Sequence, residues 1–210
     1  MQNEDLNTLE IMTEKQIEKI RLSIKNHRSA LTAEKRKFGG FDDNTGRRYY
    51  ISDLYLRIAD YSGVLTYKKW FDKNFPDDCG TAILSLNWAI AFYSCGQIEN
   101  CKIYTLDTAF QNVYLHGLLL DREVKLIDMY DPNGNELLER TKSWIRDCKR
   151  IVTKPYKEWL SAYIDSNEYN EPINRFISLL ILLANEIDDN NRILILNRIR
   201  DMEQLNLRKK

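Results

Sequence analysis

The fold class is decided by residues 49–78, YYISDLYLRIADYSGVLTYKKWFDKNFPDD. Apolar residues recur in this stretch at steps of three and four, which is the spacing of one face of an α-helix. The pattern is interrupted once, near Asp60–Gly63, and Pro76 stops it because proline cannot continue a helix. The stretch therefore predicts a helix, a tight turn and a second helix.

The next part of the chain repeats this arrangement. Residues 81–95 and 98–110 carry helical patterns of their own, with a turn at Cys95–Gln97 between them. A shift of 37 residues places apolar positions on apolar ones and small on small: Ile51 on Trp88, Leu54 on Ala91, Tyr55 on Phe92, Ile58 on Cys95, Ala59 on Gly96 and Tyr67 on Tyr104. A fixed period between about 20 and 50 residues is typical of stacked repeats.

The first unit resembles the tetratricopeptide pattern through Ile58–Tyr61, Val64-Leu65, Tyr67–Lys69 and Phe71–Asp78. The second unit resembles it through Trp88-Ala89, Phe92, Gly96 and Cys101. The longer string from Lys37 to Asp78 is similar to a group of bacterial tetratricopeptide-like proteins without an established activity. The resemblance, which covers about residues 48–115, implies an all-α fold of helical hairpins stacked into an α-solenoid-like domain.

Helices are also predicted on both sides of the repeats. Thr13 and Gln16 form a capping-box pattern before a helix that ends at Gly39. After a turn at 130–134, helices are expected at 136–152, from Pro155, at 173–187 after Pro172, and at 192–205. We expect three parts: an N-terminal helix and loop (1–47), the hairpin pair (48–120) and a C-terminal helical region packing on the repeats (121–210).

Composition favours a cytoplasmic protein. Lys plus Arg and Asp plus Glu number 31 each, so no net charge draws the chain to nucleic acid or anionic lipid. The four cysteines form no C-x-x-C pair and are interpreted as reduced thiols. The acidic start resembles no secretory signal, and the most apolar run, Phe176–Ala184, is shorter than a membrane span requires. The apolar run predicts a helix in contact on most sides. No membrane contact is expected. The tail from Leu207 to Lys210 is basic.

The sequence offers little that indicates catalysis. His27 is expected on a solvated helix face, while His116 lies between apolar residues and is expected to be structural; a hydrolase using His116 with nearby acids is the weakest alternative. Three acidic pairs, Asp42-Asp43, Asp77-Asp78 and Asp188-Asp189, adjoin helix ends and are interpreted as caps rather than as a magnesium site. No cofactor and no metal are expected.

The repeats instead predict a non-enzymatic module that docks a partner protein on a concave helical surface. One version is an immunity protein or inhibitor that neutralises a bacterial toxin or effector. The competing hypothesis is nucleic-acid binding through the basic segment from Lys15 to Lys37 together with Arg47-Arg48. The expected partner contacts are Arg47, Arg48, Ser52, Tyr55, Arg57, Ser85, Asn87 and His116.

Overall fold

The computed structural model describes residues 12–131 and 136–207, with the side chains of 205–207 left out, and all regular structure in this part of the chain is helical. The acidic start, most of the expected turn at 130–134 and the basic tail lie outside the described residues. The ten helices found there are α1 (Glu14–Phe38), α2 (Arg47–Arg57), α3 (Tyr61–Asn74), α4 (Ala82–Ser94), α5 (Ile98–Gln111), α6 (Leu115–Leu119), α7 (Leu137–Lys149), α8 (Lys154–Ile164), α9 (Asn167–Asn185) and α10 (Asp189–Leu207).

The ends of α1 follow from local chemistry, as the sequence predicts. The Thr13 hydroxyl accepts a hydrogen bond from the Gln16 amide, and the Gln16 side chain accepts one from the Thr13 amide, which completes a capping box. Gly39 ends the helix at φ 73°, a left-handed conformation that only glycine adopts without strain. Only Ile24 and Leu31 of this helix are buried, so α1 packs through one narrow stripe.

The 37-residue repeat is present in the backbone. Helix α5 begins and ends 37 residues after α3, and the turn before each makes the same two hydrogen bonds. In the first turn the Ala59 amide donates to the Leu56 carbonyl and the Asp60 amide to the Tyr55 carbonyl. Gly96 and Gln97 make the equivalent bonds to Tyr93 and Phe92. Ala59 and Gly96 are both left-handed, at φ 53° and 73°, so the two turns are conformationally equivalent.

Two helical hairpins, α2–α3 and α4–α5, form the centre of the structure, and α4 contacts α2, α3 and α5. Every residue from Leu84 to Ala91 is buried, so this stretch of α4 is enclosed on all sides. The C-terminal helices complete the same hydrophobic core, because α8 packs on α4 while α9 and α10 pack on α5. None of the described helices combines the length and the apolarity needed to cross a bilayer.

The expectation that Pro172 begins a helix is wrong. Helix α9 begins at Asn167, and Pro172 lies inside it. The start is fixed by Ser166, whose hydroxyl accepts a hydrogen bond from the Tyr169 amide, and the Asn170 side chain donates to the Ser166 and Ile164 carbonyls. These side-chain bonds stabilise a first turn that the proline alone would disfavour. The last helix likewise begins at Asp189, three residues before the predicted start.

Candidate interaction surface

Half of the predicted partner contacts are buried inside the protein. Ser52 and Asn87 have no exposed surface, and Ser85 and His116 are 3% and 2% exposed. A partner at the surface therefore cannot touch these four side chains, and their expected place on an open concave face is wrong. Their burial follows from hydrogen bonds that join neighbouring helices.

Ser52 and Asn87 connect α2 to α4, since the Asn87 amide nitrogen donates to the Ser52 hydroxyl over 2.9 Å. Ser85 connects α4 to α5, because its hydroxyl donates to an Asp107 carboxylate oxygen over 2.6 Å and accepts from the Gln111 side chain. The hydroxyls of Ser52 and Ser85 and the amide nitrogen of Asn87 are thus paired within the chain, while the Asn87 Oδ1 is buried without a hydrogen-bond partner among the described residues. These side chains therefore set the register of the hairpins and are not contacts for a ligand.

His116 lies in α6 against α9. Its Nδ1 is hydrogen-bonded to the Tyr169 hydroxyl over 2.9 Å, and burial lowers the pKa of the imidazole to about 3. The ring is neutral near pH 7 and closed to any substrate in solvent. The structural interpretation of His116 thus agrees with its position in the core.

Arg48 is the centre of a charged cluster beside α2. Its guanidinium donates to Asp78 over 2.6 Å and to Asp43 over 3.1 Å, and it lies over the rings of Tyr49 and Phe75. Burial acts to lower the pKa of Arg48, but the hydrogen bonds to Asp78 and Tyr49 outweigh it and raise that pKa above its ordinary value. A shallow depression adjoins the cluster, but the cation that lines it, the Arg48 guanidinium, is already neutralised by two carboxylates.

The other three predicted contacts lie at the surface but also have internal partners. Arg47 pairs with Glu34 at 3.0 Å, and Arg57 pairs with Asp53 at 2.9 Å. The Tyr55 hydroxyl accepts a hydrogen bond from a guanidinium of α1 over 3.4 Å. With Arg47 and Arg48 both paired to acids, only the α1 cations remain for the nucleic-acid hypothesis.

Two of the three acidic pairs cap the start of a helix as predicted, whereas Asp78 of the third pair caps a turn in the loop before α4, where Thr81 provides the helix cap. Asp43 accepts hydrogen bonds from the Arg47 and Arg48 amides at the start of α2. Asp78 accepts one from the Gly80 amide, and Asp188 accepts one from the Asn191 amide at the start of α10. Within residues 12–131 and 136–207 no three His, Cys, Asp or Glu side chains are grouped so that they could hold a metal ion.

Among the residues that the structure describes, the largest concentration of exposed apolar side chains lies where α9 turns into α10. Six large aliphatic residues close to the connection 186–188 are 39–92% exposed, and we call them the hairpin tip surface. All lie within about 12 Å of the connection along a helix axis, given a rise of 1.5 Å per residue. The six are Ile181, Leu182, Ile187, Ile193, Leu194 and Leu196.

This surface corrects the expectation that the apolar run of α9 is in contact on most sides. Only Ile173, Phe176 and Leu183 of the predicted helix at 173–187 are buried, because α9 packs on α5 and α10 along one face. A signal for exposure was present in α10. Residues 193–196 are four consecutive apolar residues, which a helix spreads over about 300°, so a single packing face cannot cover them all.

Comparison with known proteins adds no assignment to these surfaces. No protein-family model, curated protein or solved structure matches this chain. The function of the hairpin tip surface is therefore argued from its own side chains.

Proposed function

We propose that this chain is a non-enzymatic protein-binding module and that it docks a partner protein on the hairpin tip surface. The observation that carries the proposal is the exposure of six large aliphatic side chains at one end of the α9–α10 hairpin. Exposed apolar side chains are costly to leave in water, and proteins commonly use concentrations of them for association.

The composition of the surface suits a protein better than a charged ligand. Between Arg175 and Glu186 helix α9 carries no charged residue, and the segment Ile193–Leu196 carries none either. Depletion of charge at the centre of a patch is typical of the cores of protein–protein interfaces. Charged residues border it, among them Asp188, Asp189 and Arg198.

The repeats supply a rigid support for this surface. We infer that the α2–α3 and α4–α5 hairpins stack in the tetratricopeptide-like manner, with α9 and α10 packed on the last helix of the pair. The equivalent turns at Ala59 and Gly96 favour that arrangement, since each hairpin then presents the same face to its neighbour. Five of the six docking side chains are thereby held on helices, and Ile187 lies in the short connection between them.

Site-specific photocrosslinking in the native host tests the proposal. A photoreactive residue at Ile193 or Ile187 should capture a protein, while the same residue at Leu22, a 57% exposed leucine of α1, should not. Ile193→Ser should lose the partner captured from Ile187 and change the free energy of unfolding by less than about 0.5 kcal/mol, as exposed positions usually do.

Two outcomes would contradict the proposal. One is that Ile193 and Leu22 give the same crosslinks, because the tip would then have no selectivity over an isolated exposed leucine. The other is that only nucleic acid is captured and that salt abolishes the capture, which is the behaviour of phosphate contacts made by α1 cations.

A further inference from the structure

One face of α10 carries a pattern that is complementary to itself. Asp189, Ile193, Leu196 and Arg200 are spaced four, three and four residues apart. At 100° per residue they fall within a sector of about 60° and extend over about 16 Å of the helix. We call these four residues the α10 stripe; it begins with an acid, continues with two exposed aliphatic residues and ends with a base.

Reversing the direction of the stripe pairs each residue with a favourable counterpart. In an antiparallel contact between two copies centred between Leu194 and Ile195, Asp189 of each copy faces Arg200 of the other. Ile193 likewise faces Leu196 of the other copy. The spacing of four and three residues is the spacing with which apolar side chains interlock between two helices.

We propose that a second copy of this chain occupies the side of the hairpin tip surface that Ile193 and Leu196 form, through antiparallel packing of the two α10 stripes. This inference rests on the proposed function, because it names the protein that the surface docks. A foreign partner would need the same sequence of acid, aliphatic pair and base at the same spacing, whereas a second copy carries it by symmetry.

The surroundings of the stripe are compatible with this contact. All four side chains are exposed at least in part, with Ile193 at 56% and Leu196 at 40%. Neither Asp189 nor Arg200 forms an ion pair with another described residue, although Arg200 acts to lower the pKa of Glu203 one turn away. Both charges are therefore able to pair across the interface.

Charge reversal gives a test that depends on the register. The unmodified protein should dimerise as its concentration rises, as measured by sedimentation velocity. D189R places two arginines opposite each other, and R200D places two aspartates opposite each other, so each variant alone should weaken dimerisation at least about tenfold. An equimolar mixture of the two variants restores both opposite-charge pairs and should dimerise like the unmodified protein.

R198D is the matched control, because Arg198 and Arg200 lie on nearly opposite sides of the helix. Two residues correspond to a rotation of about 200° around the helix axis. It should leave dimerisation unchanged, and circular dichroism should show that every variant keeps its helix content. Asp188 retains the cap of α10 in D189R, since its carboxylate accepts the hydrogen bond from the Asn191 amide.

The proposed self-association is wrong if the unmodified protein stays monomeric at every concentration. It is also wrong if the mixture of D189R and R200D dimerises no better than either variant alone. Crosslinking separates this failure from that of the proposed function. A monomer that still captures a different protein from Ile193 retains the docking function, whereas a monomer that captures nothing there loses both.

Discussion

At the scale of single residues, Arg48 is expected to stabilise the fold through its two carboxylate partners. Its guanidinium neutralises Asp43, whose side chain is fully buried, and Asp78, which is 14% exposed. Arg48→Met should lower the free energy of unfolding by about 2–4 kcal/mol, because it leaves buried carboxylates without a counterion. Chemical denaturation measures the loss.

The neighbouring arginine provides the control for that measurement. Arg47 pairs with Glu34 at a more exposed position, so Arg47→Met should cost less than about 1 kcal/mol. If Arg48→Met costs no more than Arg47→Met, Arg48 is not the counterion on which Asp43 depends. The sequence predicts equal surface contacts for Arg47 and Arg48, because two neighbouring positions give no indication of which arginine meets the acids of a distant loop.

At the scale of elements, substitutions at the two equivalent turns are expected to change the free energy of unfolding in opposite directions. Ala59 and Gly96 share a left-handed backbone, which costs a residue with a Cβ about 1–2 kcal/mol. Ala59→Gly should therefore raise the free energy of unfolding by about 0.5–1 kcal/mol after the greater flexibility of glycine in the unfolded chain is subtracted. Gly96→Ala should lower it by a similar amount, as measured by thermal and chemical unfolding.

The second substitution isolates backbone strain. A Cβ built on Gly96 meets no atom within 4 Å, so a steric clash does not contribute. If the two substitutions shift stability in the same direction, the turns are not energetically equivalent.

Sequence periodicity predicts elements well where each helix has its own cap and one packing face. It places α1 through α5 within a few residues, because these helices begin and end at Thr13, Gly39, Pro76 and Gly96 or close to them. It misplaces the start of α9, where a cap at Ser166 outweighs the expected effect of Pro172. A prediction from the proline alone does not take into account the hydrogen bonds that stabilise a helix start upstream of the proline.

At the scale of the whole molecule, His116 makes stability depend on pH. Its folded pKa of about 3 lies below the ordinary value of 6.5, so the unfolded chain binds an extra proton between these values. Its contribution to stability is complete above pH 6.5 and decreases as pH falls toward 3, by up to about 1.4 kcal/mol per pH unit. His116→Gln should flatten this part of the stability profile, as measured by unfolding at pH 7, 6 and 5.

His27 supplies the matched control for the pH experiment. It lies on α1 outside the buried core, and His27→Gln should leave the slope between pH 7 and 5 unchanged. An equal change of slope in both variants would mean that the burial of His116 is not the origin of the effect.

The candidate surface could be predicted from sequence only in part. The all-helical class and the repeated hairpins follow from patterns along the chain. The burial of Ser52 and Asn87 depends on a pairing between α2 and α4 that no local pattern encodes. The exposure of Ile193 and Leu194 depends likewise on which faces of α10 find partners.

The enclosure of α4 also implies an order of local opening. Helix α1 buries only Ile24 and Leu31, whereas each residue from Leu84 to Ala91 is buried. Helices with few buried contacts detach at low free energy, and enclosed helices open only with the whole fold. Backbone amides of α1 therefore exchange with solvent deuterium through brief local excursions, while those in the middle of α4 exchange only when the entire domain unfolds.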